Sequence, residues 1–102
     1  MITKAVVMSE PGSLSIQPVD LKSPSKEDIV IDINYSGIST GTEKLFYNGK
    51  MPQFPGMGYP LVPGYESTGE VVQAPKDSNL KIGDMVFVPG ADCYSGSVKS
   101  LF

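Results

Sequence analysis

Eleven glycines and nine prolines punctuate this chain of 102 residues, and they constrain its fold more than any other feature. Proline fixes φ and removes a backbone donor, while glycine weakens any helix or strand it interrupts. Many short elements joined by turns are therefore favoured over long helices. Forty per cent of the residues are apolar, enough for one modest core. Eight basic against eleven acidic residues leave a net charge of -3. Nucleic acid is an unsuitable partner for such a surface, because phosphate binding needs a basic face. There is no histidine, and Cys93 is the only cysteine. An internal disulfide, imidazole catalysis and an ordinary zinc site are thereby excluded. No apolar run reaches the roughly 18 residues of a membrane span, and no signal peptide opens the chain, so a cytoplasmic protein is expected.

The hydrophobic pattern is that of strands. Residues 3–8 are β-branched and apolar, and Glu10-Pro11-Gly12-Ser13 turns them. Leu14, Ile16 and Val19 alternate with polar residues, and Pro18 places that strand at a sheet edge or end. Residues 29–35 form the clearest strand, with Ile29, Ile31, Ile33 and Tyr35 on one face. Thr40-Gly41-Thr42-Glu43 has capping-box spacing, with Thr40 as the cap of a short helix that Gly49 ends. Residues 51–63 read as a loop stiffened by four prolines. Strands return at 68–72 and 84–88, with Lys81-Ile82-Gly83-Asp84 as the turn into the second. Two apolar residues, Leu101 and Phe102, close the sequence. The predicted fold is a small, mainly β barrel or sandwich with one short helix.

Chemistry concentrates in three places. Residues 36–42 crowd four hydroxyls around two glycines before the helix. Such a segment can bind an anion or position a hydroxyl, or it can simply cap the helix. Tyr65-Glu66 follows Pro63-Gly64, and its carboxylate is either functional or merely solvated. Phe54, Met57 and Tyr59 can line a pocket for a large flat ligand, or cover the domain's own core. Cys93 has no obvious activating neighbour in the sequence and reads as a passive thiol. No G-x-G-x-x-G joins a strand to a helix, so no dinucleotide cradle is visible.

The order of motifs adds a resemblance. A strand leads into Ser36-Gly37-Ile38, then Gly41-Thr42-Glu43 and a short helix. Pro63-Gly64-Tyr65-Glu66-Ser67-Thr68-Gly69-Glu70-Val71 and Lys81-Ile82-Gly83-Asp84-Met85-Val86 follow. This resembles the N-terminal catalytic domain of medium-chain dehydrogenases/reductases, whose zinc members carry GICGSD, PxxxGHExxGxV and GDRV segments in this order. The resemblance covers nearly the whole chain. It implies a GroES-like, partly open β-barrel with one or two short helices. Within the family, Ser36 to Lys44 and the Met51 to Glu66 stretch resemble a branch that acts on bacteriochlorophyllide-type macrocycles. That likeness implies oxidation of a 3-(1-hydroxyethyl) group to acetyl, with NAD or NADP as hydride acceptor.

The resemblance carries over residue by residue. The family's cysteine zinc ligand falls at Ser39 or Thr40, and its histidine ligand falls at Tyr65. Neither change leaves a ligand of the family's kind, so a zinc-independent reaction is expected. Thr42 matches the Ser/Thr that relays the alcohol proton. Without zinc, Thr42, Tyr65 or a residue outside the chain would stabilise the developing alkoxide. Glu66 matches the glutamate of GHE, beside the site. The family's Rossmann domain is not in these 102 residues, so the stretch is expected to be an N-terminal piece that alone binds no cofactor and turns nothing over. Surface facing the missing domain would then be exposed, making self-association an expected property. Two other readings stay open: another zinc-independent quinone or alcohol oxidoreductase, and a free-standing GroES-like co-chaperonin.

Overall fold

A computed structural model describes residues 1–96 and 98–100. The Leu101-Phe102 pair lies outside the described residues. In chain order the elements are β1 (Ile2–Glu10), β2 (Ser13–Asp20), β3 (Val30–Gly37), α1 (Thr40–Tyr47), β4 (Leu61–Val62), β5 (Glu66–Gln73), β6 (Met85–Val88) and β7 (Lys99–Ser100). They form two sheets, ordered β2-β1-β4-β7 and β3-β5-β6. All strand neighbours are antiparallel except β4 and β7. This is the mainly β architecture that the glycine and proline punctuation favours.

Pro18 lies on β2, an edge strand, where a missing N–H costs no ladder bond. The turn into β6 closes through Asp84 N–H to the Lys81 carbonyl, 3.0 Å, and Lys81 N–H to the Asp84 carboxylate, 2.9 Å. Helix α1 ends as expected. Gly49 takes φ 70°, its N–H reaches the Phe46 carbonyl, and Lys50 N–H reaches that of Leu45. These two bonds satisfy carbonyls that the helix end leaves without partners.

Three expectations need correction. The helix cap is Ser39, and Thr40 is the first helical residue. The Ser39 carbonyl, not a Thr40 hydroxyl, accepts the Glu43 N–H at 3.0 Å. Tyr35 does not share a face with Ile33. The β3–β5 register shifts between them, so Tyr35 lies opposite Thr68 while Ile33 lies opposite Gly69. An extra residue in one strand turns all later side chains over. Finally, residues 61 and 62, read as loop, pair with Met8 and with β7.

The buried core is small: Val7, Met8, Val19, Phe46, Leu61 and Val71. Phe46 is the one buried residue of α1, and it pins the helix to Met8 and Leu61. An eight-residue helix has too few bonds to persist alone, so this anchor decides where α1 sits. The β3-β5-β6 sheet leaves one face open. There Tyr35, Thr68 and Phe87 form a cross-strand row, with Tyr35 77% and Phe87 61% exposed.

Candidate functional site

The fold brings the end of β3, the start of α1 and the 62–67 stretch around one cleft of about 710 Å³. Apolar residues from β1 and β2, among them Val6, Met8 and Leu14, form its floor. Glu43 and Lys44 of α1, with Tyr65 and Glu66, supply charged and polar groups at its wall. Cys93 and Tyr94 line it from the other side, and the Cys93 thiol interacts with the Tyr94 hydroxyl. A largely apolar hollow with a few converging polar groups is the usual form of a small-molecule site.

Local backbone geometry fixes the acidic groups. Gly37 pairs across from Glu66, the first residue of β5. A Cβ at Gly37 would lie 2.8 Å from Glu66 Oε1, so the carboxylate rests where a larger residue would stand. Gly64 takes φ 93°, in the left-handed region that favours glycine, and a Cβ there would lie 3.6 Å from Glu43 Oε1. The two carboxyls therefore reach one corner of the cleft from α1 and from β5.

Glu43 is the functional candidate that sequence reasoning missed. Its place three residues after Thr40 reads as a helix cap and hides any other use. In the structure its Oε2 is buried and has no hydrogen-bond partner. Burial pushes its carboxyl above the ordinary carboxylate range, the Ser39 backbone N–H pulls it down, and the nearby Glu66 charge pushes it up further.

A stability prediction follows. At low pH the folded and unfolded chains both hold the Glu43 proton. As pH rises through the ordinary value of 4.5, the unfolded chain releases it first. Stability then falls until folded Glu43 ionises. Glu43→Gln, uncharged throughout, should match the parent near pH 4 and exceed it at pH 8. The raised carboxyl sets the sign, and solvent screening of a half-buried group keeps the gain small. Urea unfolding at the two pH values measures it.

The remaining predicted residues divide. Tyr65 and Glu66 line the cleft. Ser39, Thr40 and Thr42 stand beside it at the start of α1 and are not among its lining residues. Ser39 and Thr42 are half-buried and joined, the Ser39 hydroxyl donating to Thr42 Oγ1 at 3.2 Å, while Thr40 is exposed. Phe54, Met57 and Tyr59 pack on the Met8–Phe46–Leu61 cluster and are likewise outside the cleft lining. Tyr59 also donates its hydroxyl to the Phe46 carbonyl, and burial pushes its phenol up.

The zinc chemistry of the motif order can be tested on these groups. The positions of the cysteine and histidine ligands hold hydroxyls, and the Ser39 hydroxyl is already engaged with Thr42. Among the described residues, no three His, Cys, Asp or Glu side chains gather as a metal would need. Serine, threonine and tyrosine at those positions are not the ligand types of the family's zinc members.

Fold and motif order together define a class, and a family comparison agrees: the alcohol dehydrogenase GroES-like domain matches residues 25–100. The chain belongs to that family. It is also similar to two proteins named 2-desacetyl-2-hydroxyethyl bacteriochlorophyllide A dehydrogenase. The one from Rhodobacter capsulatus is 59% identical over 102 residues, covering all of this chain and 32% of the relative. The one from Cereibacter sphaeroides is 56% identical over 106 residues, covering all of this chain and 33% of the relative. The chain thus spans about a third of the length of these relatives. No solved structure matches it. Among the described residues, no helix is long and apolar enough to cross a membrane.

Proposed function

We propose that these residues are the substrate domain of an NAD(P)-dependent dehydrogenase that oxidises the 3-(1-hydroxyethyl) group of a bacteriochlorophyllide to acetyl without zinc. The observation that carries this reading is identity of 59% and 56% along the whole chain with two proteins named as dehydrogenases of a hydroxyethyl bacteriochlorophyllide. The cleft is consistent with it, being apolar enough for a pigment edge and polar at one corner for an alcohol.

In this reading a nicotinamide takes the hydride from the carbinol carbon, and the residues that bind it lie in sequence beyond this stretch. The described residues offer no strand–glycine turn–helix cradle for a dinucleotide. What this chain contributes is binding, orientation and a route for the alcohol proton. The Ser39 hydroxyl bonds to Thr42 Oγ1 and orders the turn that carries Thr42. Thr42 and Tyr65 are the hydroxyls assigned to the developing alkoxide, with Ser39 and Thr40 shaping the turn that presents Thr42. Glu66 holds the corner between Gly37 and the cleft. Phe54, Met57 and Tyr59 pack on the core beside the cleft and support it without facing the pigment. The open Tyr35–Phe87 face is assigned to the rest of the enzyme, and exposes the isolated stretch to self-association.

The assay is hydride transfer by the full-length enzyme that carries these residues. Hydroxyethyl pigment with NAD or NADP should give growth of the reduced-nicotinamide absorbance and an acetyl product. No oxidation of that pigment with either cofactor, by an enzyme shown to bind nicotinamide, would contradict the proposal.

A further inference from the structure

An apolar cleft fixes the orientation of its ligand through the few polar groups that face it. Of the polar residues at the start of α1, Glu43 lines the cleft, while Ser39, Thr40 and Thr42 do not. Glu43 Oε2 is buried with no partner, whereas nearly all buried polar atoms in folded proteins have one. A site that leaves such an atom unpaired when empty gains most from a ligand that pairs it. Glu66 stands close enough to raise the cost of charge on Glu43. A carboxyl accepts from an alcohol's hydroxyl when ionised and can also donate to it when protonated, so it pairs with an alcohol in either state.

We propose that Glu43 is the residue in this cleft that hydrogen-bonds the alcohol oxygen of the substrate, with Glu66 as a positioning residue beside it. The proposal rests on the dehydrogenase reading above and names the group that selects the hydroxyethyl substituent. The ligand class it selects is a flat, apolar macrocycle bearing one hydroxyl at its rim.

Binding to the full-length enzyme, without nicotinamide, tests this with two pigments followed by their absorbance: a 3-(1-hydroxyethyl) bacteriochlorophyllide and its 3-vinyl counterpart. The parent should prefer the hydroxyethyl pigment about 3- to 10-fold, the worth of one hydrogen bond. Glu43→Leu should lose most of that preference, the Thr42 and Tyr65 hydroxyls keeping the rest, with vinyl affinity unchanged, which a merely structural loss would not produce. Glu43→Gln should keep part of the preference, since an amide also donates and accepts. Glu43→Ala gives the same reading should the leucine variant fail to fold. A preference that survives intact in Glu43→Leu or Glu43→Ala overturns the assignment and leaves the macrocycle reading standing, as does a parent that binds both pigments equally. A parent that binds neither pigment overturns the macrocycle reading, and this proposal with it.

Discussion

Gly69→Ala is expected to cost about 3 kcal/mol or more, and so to lower the melting temperature by roughly 12 to 24 °C. Gly69 lies in β5, the central strand of its sheet, opposite Ile33 on one side and Val86 on the other. A Cβ there would stand 2.3 Å from the Asp32 carbonyl oxygen and 2.8 Å from Ile31 Cγ2. The nearer atom is backbone, so no rotamer change relieves the clash. Relief requires β3 to move away and give up ladder bonds. Because β3 ends at Gly37 beside Glu66, that movement also disturbs the cleft corner. Circular dichroism melting of the parent and variant measures the effect. A melting temperature within a few degrees of the parent would show that β3 and β5 are not in this register.

Phe46→Ala is expected to cost about 3 to 5 kcal/mol. The ring is fully buried, meets Phe54 edge-on at 6.2 Å and lies 6.5 Å from Tyr59. Removing it leaves Met8 and Leu61 beside a cavity and frees α1 from its one buried anchor. Glu43 and Thr42 ride on that helix, so pigment binding should weaken along with stability. Phe46→Leu fills most of the space and should lose less than about half as much. Urea unfolding of the two variants separates the cases. Equal losses would mean that cavity volume is not the source.

Several elements were legible because local chemistry decides them. Pro18 marked an edge strand, Gly49 a helix end, and Lys81 to Asp84 a turn, each through a backbone constraint that acts within a few residues. The cap moved by a single residue, to Ser39, while the other two misreadings share a cause, which is distance along the chain. The turned-over Tyr35 depends on where β3 slips against β5. The two-residue strands β4 and β7 exist only as partners of β1 and of each other. The site divides in the same way. Tyr65 and Glu66 were legible by motif order, which also carried the family. Glu43 was not, because its burial and its Glu66 neighbour arise from the β3–α1 corner and not from local spacing.

In the proposed reading, hydroxyls and carboxyls of this chain stand in for a metal at the substrate alcohol. Metal content and turnover of the full-length enzyme, before and after exhaustive chelation, test it most directly. Less than stoichiometric zinc and an unchanged rate of hydroxyethyl oxidation after chelation are expected. Loss of the activity on chelation, with recovery on adding zinc alone, would contradict it.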